Sequence, residues 1–312
     1  RTAEATGVGV PYDERPMQTR ASTPTDRAVP GDGPTLHARD WGGSGQPVVL
    51  LHGLASNARI WDGVASRLTG AGLRVVALDQ RGHGSSDQPS SGYDFATLVR
   101  DLEAALAALE LERPVLVGHS WGANVALQFA AGRPGAVAGL ALVDGALVGV
   151  AAWAGATREE ARRRLAPPRF AVPLEDWLAR AGRFDAGGPG GQTWVRDYLR
   201  AGVVVDDRGV ARSRFHFDNH MQVVDALWDQ RPEALFPLVD RPVLLCVAGD
   251  PVDGELAGVK RDAAARAVEL FPSATLTWFE DTMHDIPLQR PAELAAELAR
   301  FADSVKEVPG RG

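Results

Sequence analysis

One serine between glycines is the clearest sign of chemistry in this sequence. Residues 118–122 read Gly-His-Ser-Trp-Gly and stand between the apolar run 114–117 and the helix-like run 123–131. A serine two positions from each of two glycines, at a strand-to-helix junction, is the pattern of a nucleophile elbow. Glycines let the strand and the helix pass closely, so a strained turn can push the Ser120 hydroxyl into a cleft. The pattern therefore predicts that Ser120 is a nucleophile.

A serine nucleophile needs a base, which is usually a histidine oriented by a carboxylate. Reactive groups in open α/β sheets gather at the carboxyl ends of the strands. Of the seven histidines, His284 follows the last predicted strand and precedes a terminal helix, so we predict that it is the base. The remaining histidines lie in an early strand, in glycine-containing motifs or in the middle of the chain: His37, His52, His83, His119, His216 and His220.

The carboxylate that orients the histidine should also follow a strand, between the serine and the histidine in the chain. Asp250 follows the penultimate predicted strand, and we predict it as the acid. Asp144 ends another strand and is the main alternative, with Asp253 a lesser one.

An acyl-transfer site also needs donors for a developing oxyanion. The backbone N–H of Trp121, next to the nucleophile, is the first predicted donor. The second is the N–H of Leu54, in the loop that follows an early strand. We further predict that Trp121 lines the substrate pocket and that His220 contacts the substrate.

Short apolar runs alternate with amphipathic helical segments along most of the chain. Runs at 48–51, 75–78, 114–117 and 140–143, and again at 242–247 and 274–279, are continuous apolar strands, which indicates a parallel sheet covered on both faces. The alternation stops between residues 146 and 237. We predict a core formed by residues 31–145 and 238–312. Residues 146–237 are expected to form a helical cap, or alternatively an ordinary helical layer.

The beginning of the chain lacks periodicity. Residues 1–30 are rich in Pro, Thr, Arg, Asp and Gly and are expected to form a flexible arm, in which Met17 is a candidate natural start. We see neither a signal segment nor an apolar run long enough to cross a membrane, so we expect a soluble cytoplasmic protein.

Composition and missing motifs narrow the class of protein. A net charge of −7 argues against a nucleic-acid partner, and the single cysteine, Cys246, is expected inside a strand. Residues 79–85 are expected to form a hydrogen-bonded turn, with anion binding by Arg81 as the alternative. The sequence has no P-loop, no G-x-G-x-x-G after the first strand, no H-E-x-x-H and no paired cysteines, so we expect no nucleotide, cofactor or metal.

Together these motifs resemble the α/β-hydrolase superfamily. The matching pieces are the His-Gly pair at 52–53, the turn at 79–85, the elbow at 118–122, the Gly-Asp pair at 249–250, and His284. They follow the family's order over about residues 34–304. The resemblance implies an eight-stranded, mostly parallel sheet, with a helical cap inserted after the sixth strand. It also implies a cofactor-free serine hydrolase mechanism.

Carried over residue by residue, the resemblance makes Ser120 the nucleophile, His284 the base and Asp250 the acid, with Leu54 and Trp121 as oxyanion donors. Trp121 next to the nucleophile resembles haloalkane dehalogenases and epoxide hydrolases. Those enzymes use aspartate where this chain has Ser120, so alkyl-enzyme chemistry is disfavoured.

The predicted function is hydrolysis of a carboxylic ester or lactone of a mainly apolar small molecule, as in a carboxylesterase, through an acyl-Ser120 intermediate. A cofactor-free haloperoxidase or perhydrolase, or a carbon–carbon bond hydrolase, could use the same residues. A small-molecule receptor that retains them is an alternative of another class.

Overall fold

The structure is a computed structural model. It describes residues 23–155, 157–184, 191–250 and 255–306, without the side chains of 191, 192, 255 and 256. Residues 1–22, with Met17, lie outside the described residues, and so does Asp253.

The main sheet has eight strands, in the order β1-β2-β4-β3-β5-β6-β10-β11. Strand β2 is antiparallel to β1 and β4, and the other pairs are parallel. The strands are β1 Thr25–Pro30, β2 Thr35–Gly42, β3 Pro47–Leu51, β4 Arg74–Asp79, β5 Val115–His119, β6 Gly139–Val143, β10 Val243–Gly249 and β11 Ala274–Glu280. This is the predicted α/β-hydrolase fold, so the fold class is confirmed.

Helices cover both faces of this sheet. Successive side chains of a strand point to opposite faces, and Val49 and Leu51 of β3 pack in one core, whereas Val48 and Leu50 pack in the other. The helices are α1 Asp62–Gly70, α2 Phe95–Ala108, α3 Trp121–Gly132, α9 Glu255–Leu270, α10 Ile286–Gln289 and α11 Pro291–Lys306. Because the central strands are buried on both sides, they are apolar at nearly every position, which is why the sequence showed continuous runs.

Residues 146–237 lie between β6 and β10, where a cap was predicted, and we call this segment the cap below. Its elements are helices α4 Arg158–Leu165, α5 Leu174–Leu178, α6 Gly191–Ala201, α7 Phe217–Asp229 and α8 Pro232–Leu235, and strands β7 Val172–Pro173, β8 Val203–Val205 and β9 Val210–Ser213. The three strands form a second small sheet in the order β7-β9-β8, which the prediction of a helical cap did not include. They are two to four residues long, too short to show alternation.

The predicted arm also differs from the structure. Thr25–Pro30, at the end of the segment predicted as flexible, forms the edge strand β1 and pairs antiparallel with β2. Only Val29 in it is buried, so an exposed edge strand left no hydrophobic pattern to detect.

Two smaller predictions can be compared with the structure. Cys246 lies fully buried in β10, as expected. Among the residues that the structure describes, no helix is both long and apolar enough to span a membrane.

Candidate active site

Ser120 sits at the sharp turn between β5 and α3. Its φ is +53° and its ψ is −122°, a conformation that costs free energy for any residue except glycine. A neighbouring strand holds the turn in place: the backbone N–H of Ser120 donates to the carbonyl of Val143 on β6 at 2.9 Å.

Glycines make this turn possible. A Cβ on Gly118 would lie 2.3 Å from the carbonyl oxygen of Gly122, and a Cβ on Gly122 would lie 2.5 Å from that of Leu51. A Cβ on Gly145 would lie 2.2 Å from the carbonyl oxygen of Ser120. No side chain fits at any of these positions, so the backbones of β3, β5 and α3 can approach only through glycine.

The Ser120 hydroxyl is the first member of a hydrogen-bonded series. Its Oγ lies 2.9 Å from Nε2 of His284, and Nδ1 of the same imidazole lies 2.6 Å from Oδ2 of Asp144. A carboxylate can only accept, so Nδ1 carries the proton and Nε2 faces Ser120 with its lone pair. Ser120 and His284, predicted separately from the sequence, are therefore brought together by the fold.

Asp144 is held rigidly at the end of β6. Its side chain is fully buried (0% exposed) and its φ is +45°. Its Oδ1 accepts from the N–H of Ala248 at 3.0 Å, and its Oδ2 accepts from Nζ of Lys260 at 3.1 Å as well as from His284. Burial alone would raise its pKa, but the hydrogen bonds and the charges of His284 and Lys260 hold the pKa of Asp144 below its ordinary value.

Asp250 was predicted to orient His284, and here the structure corrects the prediction. The carboxylate bonded to Nδ1 of His284 belongs to Asp144, the alternative that the sequence left open. In the sheet, β6 lies between β5, which ends at the elbow, and β10, which leads to Asp250. An imidazole that reaches Ser120 therefore has the end of β6 beside it.

His284 is anchored so that it faces β5 and β6. Nε2 of the buried His119 donates to the backbone carbonyl of His284 at 3.0 Å. Burial lowers the pKa of His284, but the hydrogen bond and charge of Asp144 and the charge of Asp285 outweigh burial, and its pKa lies above the ordinary value of 6.5. Its imidazole is about half exposed (53%), so it can exchange protons with a substrate.

The two predicted oxyanion donors border the same space. Trp121 is the first residue of α3, so its N–H is one of the four that have no acceptor within a helix. Leu54 follows Gly53, and a Cβ on Gly53 would lie 3.1 Å from Cβ of Ser120, which shows how closely the loop passes the elbow.

Two buried histidines hold the loop that contains Leu54. Nδ1 of His83 donates to the carbonyl of Arg81 at 2.9 Å, and its Nε2 accepts from the N–H of Ala55 at 3.1 Å. His52 donates from Nδ1 to the carbonyl of Gly53 and accepts at Nε2 from the N–H of Gln80. Burial lowers the pKa of both imidazoles, which are neutral at pH 7.

A cavity of about 490 Å³ opens on Ser120 and His284. That volume falls within the usual range for small-molecule sites. Apolar side chains supply most of its wall. They come from the loop after β3, from the cap and from α9: Leu54, Ala146, Leu147, Val148, Val150, Trp153, Leu165, Leu227 and Val259. Its polar wall includes Asn124, His220 and Lys260.

The two residues predicted to contact substrate both line this cavity. Trp121 is almost fully buried, at 2% exposure. His220 on α7 donates from Nε2 to the carbonyl of Leu165 on α4 at 3.0 Å, so it also ties two cap helices together. His216 is exposed at the start of α7, and the structure places no three potential metal ligands together in the residues it describes.

Three tryptophans of the cap have different surroundings. Trp153 lines the cavity, whereas Trp177 and Trp194 pack against the small cluster around Leu178 and Val195. These two are therefore packing residues of the cap.

Arg81 forms a buried ion pair. Its Nε and Nη2 lie 2.7 and 2.8 Å from the two carboxylate oxygens of Asp101. The turn at 79–85 is closed by the Asp79 carboxylate, which accepts from the N–H of Ser85 and of Ala58. The turn is thus hydrogen-bonded as predicted. The guanidinium of Arg81, which was considered for anion binding, is already paired with the buried carboxylate of Asp101.

Lys260 and Asn124 are the polar cavity residues that sequence reasoning missed. Asn124 lies one helical turn after Ser120, so the elbow itself could have indicated it. Lys260 lies on α9, remote in sequence from Asp144, and no local pattern signals their contact.

Comparison with known proteins agrees with this architecture. Residues 46–171 match the model of the alpha/beta hydrolase fold family. A non-heme chloroperoxidase of Streptomyces lividans is 44% identical over 115 residues, which are 36% of this chain and 42% of that protein. The chain thus spans less than half of the length of the curated relatives that it matches first.

Solved structures match over nearly the whole described chain. An E-2-(acetamidomethylene)succinate hydrolase has a TM-score of 0.71 at 23% identity and covers 89% of this chain and 99% of its own. An esterase from a Rhodococcus species has a TM-score of 0.62 at 27% identity, covering 90% of this chain and 99% of its own. The resemblance predicted from the sequence is therefore confirmed: this chain is an α/β-hydrolase-fold protein.

Proposed function

We propose that this protein is a serine hydrolase that cleaves carboxylic esters or lactones of mainly apolar small molecules through an acyl-Ser120 intermediate. One observation carries the proposal. The hydroxyl of Ser120, the imidazole of His284 and the carboxylate of Asp144 are joined by hydrogen bonds of 2.9 and 2.6 Å at the wall of the 490 Å³ cavity.

The first half of the reaction forms the acyl-enzyme. Nε2 of His284 takes the hydroxyl proton while Oγ of Ser120 attacks the carbonyl carbon, and the buried carboxylate of Asp144 stabilises the imidazolium that results. The negative charge on the former carbonyl oxygen is met by the N–H groups of Leu54 and Trp121. The C–O bond then breaks, and Nε2 gives its proton to the leaving alcohol.

The second half of the reaction releases the acid. Nε2 takes a proton from water, the hydroxide attacks the acyl carbon, and the proton returns to Oγ as Ser120 leaves. With a lactone, the alcohol stays attached to the acyl group, and the product is a hydroxy acid. The apolar cavity wall supports a substrate with an apolar body, because polar groups would lose hydration there without replacement.

Turnover of p-nitrophenyl acetate and butyrate by the wild type and by Ser120→Ala tests the proposal. We expect the substitution to reduce kcat by at least about 10³-fold, since the nucleophile is lost. Ser304→Ala, on the distant helix α11, is the matched control and should leave the rate unchanged. Equal rates for the wild type and Ser120→Ala would refute the proposal. A wild-type rate no higher than that of buffer, together with tight ligand binding, would favour a receptor.

A second candidate is perhydrolysis, supported by the similarity to relatives named non-heme chloroperoxidases. Hydrogen peroxide would replace water in attacking acyl-Ser120, releasing a peroxycarboxylic acid. This acid would oxidise a halide ion to hypohalous acid and return to the carboxylic acid. Halogenation of monochlorodimedone should then require peroxide, bromide and a carboxylic acid together, and Ser120→Ala should abolish it. Halogenation without any carboxylic acid would contradict this route.

A further inference from the structure

Lys260 makes a contact that the proposed mechanism does not use. Its Nζ lies 3.1 Å from Oδ2 of Asp144 and 3.2 Å from the carbonyl oxygen of Ala248. The lysine side chain is 15% exposed, and the residue also lines the cavity. The contact is therefore a nearly buried ion pair at the wall of the site.

One carboxylate oxygen thus holds two cationic partners. Oδ2 of Asp144 accepts from Nδ1 of His284 and from Nζ of Lys260, while Oδ1 accepts from the N–H of Ala248. These three donors leave the buried carboxylate little freedom to rotate away from His284. The ammonium also competes with the imidazolium for the same negative charge, which disfavours the protonated histidine.

Other charges around His284 act in known directions. Asp144 and Asp285 raise its pKa, whereas burial and the charge of Lys260 lower it. His119 packs against the ring at a centroid distance of 5.0 Å, but its own pKa is about 4, chiefly because of burial, so it is neutral at pH 7. Among the groups named here, Lys260 is the charged group that opposes the two carboxylates.

We propose that Lys260 is a positioning residue of the hydrolase, which fixes the rotamer of Asp144 and shares the carboxylate oxygen that bonds to His284. This inference rests on the proposed function. A base held too strongly protonated would take up the serine proton only at high pH and would return it slowly to the leaving group. Lys260 keeps the imidazole able to do both near neutral pH.

The His284 titration tests this inference without turnover. We would record the imidazole ¹⁵N shifts against pH in the inactive Ser120→Ala protein, with and without Lys260→Met, assigning the signal by its loss in His284→Gln. We expect Lys260→Met to raise the pKa of His284 by about one unit. Lys260→Arg should restore the wild-type value. An unchanged or lower pKa in Lys260→Met would overturn the proposal.

A matched control exists because the sequence contains one other lysine, Lys306, which pairs with Asp303 at the end of α11. Lys306→Met should not move the pKa of His284. In the active enzyme, Lys260→Met should move the acid limb of the kcat/KM profile about one pH unit higher. At pH values below that limb, kcat/KM should then be about tenfold lower than in the wild type. Absence of any esterase activity would refute the proposed function, while the titration would still decide the role of Lys260.

A reciprocal measurement covers a Lys260→Met variant that fails to fold. Wild-type protein labelled at the lysine ε-carbon should show two signals, and Lys306→Met would identify the one from Lys260. The chemical shift of the Lys260 signal should change when Lys260 itself titrates. It should also show a second inflection at the pH at which His284 titrates. A Lys260 signal with no such inflection would equally overturn the proposal.

Discussion

Three histidines that follow parallel strands, His52 after β3, His83 after β4 and His284 after β11, fall into two groups with opposite surroundings. In His52 and His83 both ring nitrogens are bonded to backbone groups, and both side chains are buried. In His284 the two nitrogens meet side chains, Ser120 and Asp144, and the ring is half exposed.

The electrostatic consequence follows from these partners. Burial without a bonded carboxylate lowers the pKa of His52 and His83, whereas the bond to Asp144 contributes to a raised pKa for His284. The same side chain is thus a neutral structural group in one setting and, in the proposed mechanism, a proton carrier in the other. The partners of the ring decide its role more than its position at a strand end does.

The largest expected effect comes from removing the Asp144 carboxylate, the partner that distinguishes His284 from His52 and His83. In Asp144→Asn the amide can donate to Nδ1 and stabilise the wrong tautomer, so we expect kcat to fall by about 10⁴-fold. Asp250→Asn is the matched control, with an expected loss of less than about tenfold. Steady-state hydrolysis of p-nitrophenyl butyrate measures both. A far greater loss in Asp250→Asn would restore the original prediction from the sequence.

A smaller effect is expected from the neutral structural histidines. His83→Phe keeps a ring to stack on Phe215, whose centroid is 3.9 Å away, but removes the acceptor of the Ala55 N–H. The loop with Leu54 should then be held less firmly, so that the Leu54 N–H no longer points steadily at the oxyanion. We expect kcat to fall by about 10- to 100-fold with KM little changed, since the oxyanion forms only in the transition state.

Kinetics of His83→Phe should be paired with those of His216→Phe, which alters an exposed histidine at the start of α7. The second variant should behave like wild type. If His83→Phe changed KM alone, the loop would serve substrate binding and not the transition state.

The smallest effect concerns pH and sharpens the contrast between the two groups. Only the deprotonated form of His284 can act as a base, and its pKa is raised, so kcat/KM should increase with pH through a value above 6.5. His52 and His83 should stay neutral across that range. Imidazole NMR titration with a kcat/KM profile measures this. An acid limb well below pH 6.5 would show that another group controls the rate.

Much of the site was accessible from local sequence patterns. A Cβ at either glycine beside Ser120 would lie about 2.5 Å or less from a backbone oxygen. Both positions therefore require glycine, and the elbow can be recognised as a sequence motif. His284 follows a strand that the apolar run 274–279 had already indicated. Strands β3, β5, β6 and β10 are buried on both faces and therefore left unbroken apolar runs.

Elements without such a pattern were missed for physical reasons. Strand β1 has one buried residue, and the cap strands are too short for alternation. Lys260 reaches Asp144 across 116 residues of sequence, and a single lysine in a helix looks the same whether it faces solvent or a buried carboxylate.

Local chemistry was sufficient to indicate a nucleophile, a base, a parallel sheet and an inserted cap, because each is encoded within a few neighbouring residues. Choosing between Asp144 and Asp250 required the assembled sheet. Both aspartates follow strands and lie between Ser120 and His284 in the chain, so the order of serine, acid and histidine does not distinguish them. The difference arises from strand order and from the contact between His119 and the carbonyl of His284, which set the imidazole beside the end of β6.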